Sequence, residues 1–304
     1  MISQEFIDSL ADTVGLENLL LDEPMSSHTT FHVGGPADCF VIPESVDTVR
    51  DVVTLCRDRD VDFYVVGCGS NLLVADGGLR GVVIKMGSKL SGIRIDDEGA
   101  VCVQAGSTNA KIAHVALGRG LAGFEFAAGI PGSIGGAAIM NAGAYGGELK
   151  DVATGVTCLT PAGEIIDLTA EEAQWGYRHS KMQEDGSIVL QVQIQLTHDD
   201  PDLIRDRMAD LAQRRTSKQP LDLPSAGSTF KRPPGHFAGK LIQDAGMQGH
   251  TVGGAQVSTK HAGFVVNVGG ATASDVMQVI EDVQAAVLSQ FGVVLEPEVR
   301  RWGF

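Results

Sequence analysis

Gly129-Ile-Pro-Gly-Ser-Ile-Gly-Gly-Ala-Ala-Ile-Met-Asn-Ala-Gly-Ala-Tyr-Gly-Gly147 is the larger of two glycine concentrations in this chain. At such a density of glycine and alanine, backbone can approach a bound group closely. Packing between helices also uses small residues, but it needs neither Pro131 nor the polar Ser133 and Asn141 in the same place. The segment therefore reads as a cofactor seat. Upstream, the strand pattern Phe63-Tyr-Val-Val66 runs straight into Gly67-Cys-Gly-Ser-Asn71. Amides freed by Gly67 and Gly69, with the Ser70 hydroxyl and the Asn71 amide, would surround a diphosphate without any lysine; an ordinary tight turn is the competing reading. The common dinucleotide and P-loop fingerprints are absent.

Outward from these segments the pattern mixes short strands and helices, which predicts an α+β fold. An amphipathic helix is expected over residues 1–21, a strand at Cys39–Pro43, and a helix from Ser45 to Arg59. Strands follow at Val82–Met86, Gly92–Asp96 and Val101–Ala105, then a helix at Asn109–Gly118. A hairpin around Pro161-Ala-Gly163 and a strand at Ile188–Leu196 close the first part at His198-Asp-Asp-Pro201, the expected domain junction. This makes residues 1–200 one module, with an inner division near residue 80, and residues 201–304 a second domain. In the latter, helices are expected from Pro201 to Ser217, from Phe237 to Gly246, and from Ser274, read as an N-cap, to Phe291.

The 304 residues, 43% of them hydrophobic, suffice for two or three domains. No basic, apolar leader opens the chain and no apolar run is long enough to cross a bilayer, so a cytoplasmic protein without membrane insertion is expected. Five widely spaced cysteines without a C-x-x-C pair suggest reduced thiols. Metal-binding motifs are absent: His28 and His32 are four apart in a strand-like stretch, and no H-E-x-x-H occurs. A net charge of −15 argues against a nucleic-acid partner. Residues 1–200 hold 12 Lys+Arg against 28 Asp+Glu, whereas residues 205–240 hold 8 cations against 3 acids. Either a small anionic ligand binds near that cationic stretch, or the charges line a solvated helix face.

Within it lies Pro224-Ser-Ala-Gly-Ser-Thr-Phe-Lys-Arg-Pro233. Prolines fix both ends, Gly227 opens a conformation closed to other residues, and Ser228 is presented as an exposed hydroxyl; a surface turn is the plain alternative. Elsewhere, Trp175-Gly-Tyr-Arg-His-Ser180 gathers an aromatic, a guanidinium and hydrogen-bonding groups in one turn. Arg178 there is either an exposed loop charge or an electrophile beside a carbonyl or carboxylate. In Leu295-Glu-Pro-Glu-Val-Arg300, the strand-like Val299 suggests that Glu298 is held in place.

Taken in order, Gly67-Cys-Gly-Ser-Asn71, Ile130-Pro-Gly-Ser-Ile-Gly-Gly136 with Asn141-Ala-Gly-Ala-Tyr145, Tyr177-Arg-His-Ser180, Ser225-Ala-Gly-Ser-Thr-Phe230 and Glu296-Pro-Glu-Val-Arg300 closely resemble the UDP-N-acetylenolpyruvoylglucosamine reductase family, also called UDP-N-acetylmuramate dehydrogenases. The resemblance runs from about Thr29 to Trp302. It implies an FAD-binding module of the vanillyl-alcohol-oxidase-like type, then a smaller α+β domain that closes over the substrate. It implies non-covalent FAD, NADPH as co-substrate, and the enolpyruvyl ether of UDP-N-acetylglucosamine as substrate, in peptidoglycan precursor synthesis. Carried over by motif, Arg178, Ser228 and Glu298 are the catalytic residues, with Ser228 the proton donor. Gly67, Cys68, Gly69, Ser70, Asn71, Leu72, Pro131, Gly132, Ser133, Gly135, Gly136 and Asn141 are expected at the cofactor. Tyr177, Lys218, Lys231, Arg232, Lys260 and His261 are expected at the substrate. Few residues separate Tyr177-Arg-His-Ser180 from the next strand, so the chain resembles the shorter subtype without a tyrosine lid loop. A monomer is favoured. Two other readings stand beside this one: a related FAD oxidase acting on another substrate, and a flavin- or nucleotide-sugar-binding protein without turnover.

Overall fold

Ser45 shows how locally the elements are set. Its hydroxyl accepts from Thr48 N, and behind that cap Val49, Val52, Val53 and Cys56 recur at helical spacing as the buried face of the helix Val46–Asp58. The computed structural model describes residues 2–304. At its start, the helix expected over residues 1–21 is shorter. It runs Gln4–Val14, capped by Ser3, with Phe6, Leu10 and Val14 buried, and ends at Gly15, whose φ of 84° leaves helical space. Past that glycine the periodic apolar face is lost, and Leu19–Pro24 forms a strand.

Two compact units make up the chain. The first comprises residues 2–21, Cys39–Cys68 and Gly81–Arg215; the second comprises Asp22–Asp38, Gly69–Arg80 and Thr216–Phe304. In the first unit, a five-stranded antiparallel sheet has the order Ile165–Thr169, Ala153–Leu159, Ile188–Gln195, Ala100–Gln104, Ile93–Ile95. The strand Phe63–Val66 pairs in parallel with Leu79–Lys85, Val66 opposite Lys85. Its core gathers Val82, Ile84, Val101, Val103, Ile112, Val192 and Ile194, all at most 2% exposed. The glycine-rich segment contains a helix, Ile134–Met140, whose Ile134, Gly135, Ala137 and Ala138 are buried. Packing explains part of its composition: a Cβ at Gly135 would come within 2.8 Å of Ala105 Cβ.

The second unit has its own core, with Phe31, Leu73, Phe230, Ile242, Val257 and the inward face of the helix Ala273–Phe291. Its three-stranded antiparallel sheet has the order Thr251–Val252, Ala255–Val257, Val265–Asn267, and Arg300–Trp302 lies parallel to Leu72–Val74. The helix Ala273–Phe291 is capped by Thr272, which exchanges hydrogen bonds with Asp275, and not by Ser274 as expected. The Ser274 hydroxyl instead donates to Asp76 Oδ2, at 2.6 Å. His28 and His32 lie in turns and not in a strand. All five cysteines are free thiols, and burial pushes those of Cys56 and Cys158 up to about 12. Among the described residues no helix is long and apolar enough to cross a membrane.

Candidate active site

In the first unit the two glycine segments meet. A Cβ on Gly67 would fall inside the contact distance of Ser133 Oγ and 3.5 Å from Ser133 Cβ, so the strand-end turn and the second segment approach as closely as only glycine allows. The segment 107–109 runs along the same place: Thr108 bridges Ser133, Ile134 N donates to Ser107 O (2.8 Å) and Asn109 N to Gly132 O (3.1 Å). Two buried polar atoms there, Ser107 Oγ and Asn109 Oδ1, have no hydrogen-bond partner among the described residues. Buried polar atoms left in that state call for an outside partner. A close-approach glycine, a buried serine pair and orphaned polar atoms together fit a polar cofactor such as FAD.

A lysine is present where the sequence suggested none. Lys85 ends the strand Leu79–Lys85, and its Nζ donates to Gly67 O at 2.6 Å. Burial holds its ammonium below the usual lysine range, and burial likewise raises the neighbouring Cys68 thiol. The turn then passes into the second unit at Gly69, whose φ of 63° requires glycine.

Asn141 does not offer its side chain to a ligand in the way expected of a cofactor contact. Its Nδ2 donates to Gly176 O (3.0 Å) and Glu148 Oε2 (2.7 Å), and its Oδ1 accepts from Lys150 N (2.9 Å). It is fully buried and ties down the turn that carries Tyr177 and Arg178. The same turn is anchored by Trp175 Nε1 to Ala138 O and Ser180 Oγ to Ile139 O, both 2.8 Å. Between these anchors Arg178 has a φ of 53°, a left-handed conformation that non-glycine residues hold only when the surroundings enforce it. Its guanidinium lies 5.2 Å from the centre of the exposed Tyr177 ring.

In the second unit, the segment is tied down on both sides of Ser228. Asn267 N donates to Pro224 O, Thr30 Oγ1 to Ser225 O (2.6 Å), Thr229 N to Gly263 O (2.9 Å) and Lys231 N to Glu296 O (2.8 Å). Ala226 and Phe230 are buried on either side. Between them Gly227, with a φ of 77°, turns the chain so that Ser228 stands exposed. Thr229 couples the segment to Glu298: its Oγ1 accepts from Val265 N and its carbonyl accepts from Glu298 N at 2.8 Å. Asn71, expected at the cofactor, donates Nδ2 to Glu298 O (3.1 Å) and accepts from Arg300 N through its carbonyl (3.0 Å). Leu72 is buried in the strand paired with Arg300. Thr229 is thus a residue that sequence reasoning missed; a threonine between an exposed serine and a buried phenylalanine was its only signal.

The cationic stretch is largely neutralised by acids within the same unit. Arg205 pairs with Asp202, Arg207 with Glu125 and Asp199, Arg214 with Asp210, Lys231 with Glu296 and Lys240 with Asp244. Much of it is therefore a solvated helix face, and Ile204 is the buried residue of the helix Pro201–Lys218. Arg232 lies over Phe237, at 4.0 Å, and Lys260 donates to Thr216 O near the end of that helix (2.7 Å). Lys218 is exposed. His261 Nδ1 accepts from Gly263 N, leaving Nε2 as the protonated nitrogen, and burial holds the ring below the usual histidine range. Arg215, in the first unit, is half-buried; its Cδ would lie 3.1 Å from a Cβ on Gly129, and burial lowers its pKa.

Residues 37–169 match the FAD binding domain family, and residues 219–302 match the C-terminal domain of UDP-N-acetylenolpyruvoylglucosamine reductase. The UDP-N-acetylenolpyruvoylglucosamine reductase of Clostridium botulinum strain Hall is 50% identical over 297 residues, 98% of this chain and 96% of its own. Among solved structures, the reductase of Thermus caldophilus has a TM-score of 0.79 at 33% identity, covering 93% of this chain and 98% of that one. An alkyldihydroxyacetonephosphate synthase shares only the fold, with a TM-score of 0.52 at 18% identity over 65% of this chain and 41% of its own. The architecture is accordingly an α+β FAD-binding module joined to the reductase's C-terminal domain. With both parts matched in order and identity sustained over nearly the full length, the chain belongs to the UDP-N-acetylenolpyruvoylglucosamine reductase family.

Proposed function

We propose that this chain reduces the enolpyruvyl ether of UDP-N-acetylglucosamine to UDP-N-acetylmuramate in cytoplasmic peptidoglycan precursor synthesis. FAD held by the first unit would supply the hydride chemistry, with NADPH as the reductant. Ser228 is the proton donor, Arg178 and Glu298 act on the charge that develops, and residues 201–304 serve mainly the substrate while residues 1–200 serve the cofactor. The observation that carries this reading is the Ser228 segment: an exposed hydroxyl between fixed ends, with Thr229 joining it to the backbone of Glu298.

Hydride arriving at the methylene carbon of an enolpyruvyl group leaves charge on the neighbouring carbon and its carboxylate, an enolate-like species. A guanidinium beside that carboxylate stabilises the charge as it forms, which is the role of Arg178. Serine is a weak acid, but such a carbanion is a strong base, so a positioned Ser228 hydroxyl can protonate it. Glu298 orients the intermediate. The Asn141 network and the Thr229 contacts fix the backbones that carry these groups, and fixed geometry is where much of the rate originates. Raised by burial, the Cys68 thiol is a poor nucleophile, which supports flavin held without a covalent bond. The test is direct. Gently purified protein should carry flavin absorbance and oxidise NADPH beyond one equivalent per bound flavin only when the enolpyruvyl sugar nucleotide is added; colourless protein, or turnover indifferent to that substrate, defeats the proposal.

A further inference from the structure

Lys85 bonds the glycine turn from the end of a neighbouring strand, outside all five of the motifs quoted above. Val82, Val83 and Ile84 before it are fully buried, and the strand Phe63–Val66 runs beside it. Its ammonium donates to Gly67 O, the residue is half-buried, and no acid pairs with it among the described residues. This chain has 38 acids for 23 lysines and arginines, and other cations in it, such as Lys89 with Glu44 or Arg207 with Asp199, are matched to carboxylates. A carbonyl alone does not require a charge, since a neutral amide would bond it without desolvating an ammonium. A cation kept in that position and left without a carboxylate is suited to a ligand that brings its own negative charge to the amides of the turn.

We propose that Lys85 is the counter-charge for the diphosphate of the bound FAD, holding Gly67 O from beneath so that the turn's amides face the phosphates while adding a positive charge to them. This rests on the FAD reading of the first unit. NADPH and the sugar nucleotide also carry a diphosphate, but Lys85 and Gly67 both fall in residues 37–169, which match the FAD binding domain family.

The experiment compares Lys85→Met, Lys85→Gln and Lys85→Arg with the parent chain. Bound flavin is removed, and the affinity for FAD and for riboflavin, which lacks the diphosphate, is titrated by flavin fluorescence at two salt concentrations. Both neutral variants should bind FAD about 10- to 100-fold more weakly, the scale of a charge-assisted hydrogen bond, with riboflavin changed less than about 3-fold. Lys85→Arg should recover most of the loss, and the salt dependence of FAD binding should flatten in the neutral variants. Equal losses for FAD and riboflavin would make Lys85 a prop for the turn and overturn the proposal. FAD affinity unchanged in both neutral variants would overturn it too, as would a rise in KM for the sugar nucleotide or NADPH with FAD binding intact. If the parent chain itself bound no FAD, the cofactor reading would fall before the lysine was tested. A neutral variant that fails to fold while Lys85→Arg folds and binds normally would also count against it, because the charge would then be serving the fold.

Discussion

The turn at Gly67–Gly69 and the turn at Gly227–Ser228 look alike in sequence, each a short run of small residues after an apolar one, yet glycine does different work in them. At Gly69 an added Cβ would press on His28 O and lie 2.9 Å from Thr29 Cα, with φ already at 63°. At Gly227 φ is 77° and an added Cβ would meet nothing within 4 Å. The first turn needs glycine for clearance as well as conformation; the second needs it for conformation alone, leaving open space around the serine it presents. Clearance against the neighbouring backbone of His28 and Thr29 and a left-handed conformation are thus separate demands on glycine, and only the first turn makes both.

The contrast is tested most severely at the hydroxyl. In Ser228→Ala, transfer to the enolpyruvyl substrate should fall by roughly a hundred- to ten-thousand-fold while reduction of the flavin by NADPH proceeds at its normal rate. Stopped-flow absorbance separates the two half-reactions, and equal slowing of both would remove the serine from proton transfer. Next comes the pair of turns. Gly69→Ala should cost about 3 kcal/mol or more, since backbone on both sides must move, whereas Gly227→Ala should cost only about 1 kcal/mol, the strain of a left-handed alanine. Urea unfolding of the two variants gives the difference, and equal costs would mean that clearance plays no part.

Asn141 sharpens the same distinction within the first unit. Read from sequence, it belonged to the cofactor; in the structure its three side-chain hydrogen bonds are spent on Gly176, Glu148 and Lys150. Asn141→Ala should therefore destabilise the chain by about 2 kcal/mol by leaving buried groups unpaired, and should lower turnover through the Arg178 turn with FAD affinity nearly kept. A fall in FAD affinity without a fall in stability would restore it to the cofactor.

What was legible in the sequence was whatever depends on neighbours along the chain. The strand Phe63–Val66 and the helix Asn109–Gly118 have the expected limits, because alternation, helical spacing and a cap at Thr108 are local signals. The five ordered motifs likewise disclosed the family. Lys85 was not legible, since its contact with Gly67 O follows from a parallel pairing that puts it beside the end of another strand. Nor were the acids that neutralise Arg207 and Lys231, which come from Glu125 and Glu296, far off in sequence. The N-cap at Thr272 was missed for a smaller reason: Ser274 stands nearer the apolar run, but Asp275 is three residues after Thr272, and that spacing completes the capping box.

Ser274 is instead bonded to Asp76, where the smallest effect is expected. Asp76 accepts from Ala273 N (2.7 Å), Ser274 N (3.0 Å) and Ser274 Oγ (2.6 Å), so a carboxylate from a distant turn stands at the helix N-terminus beside the Thr272 box. The turn is of the packed kind, since a Cβ on Gly78, φ 76°, would lie 2.7 Å from Pro36 N; clearance glycines thus serve scaffold as well as site. Burial raises the Asp76 pKa, but the Ser274 hydroxyl and the two amides outweigh it and hold the carboxyl below the usual aspartate range. A carboxylate whose pKa is lower in the folded than in the unfolded chain stabilises the fold above its unfolded pKa and ceases to do so as pH falls through the folded value. Asp76→Asn should therefore cost about 1 kcal/mol or less at pH 7, a mostly exposed charge being screened, and the gap to the parent chain should close below about pH 4. Thermal melts at pH 7 and pH 3 give both numbers. A gap that persists undiminished in acid would mean that the shape of the side chain, and not its charge, holds the helix start.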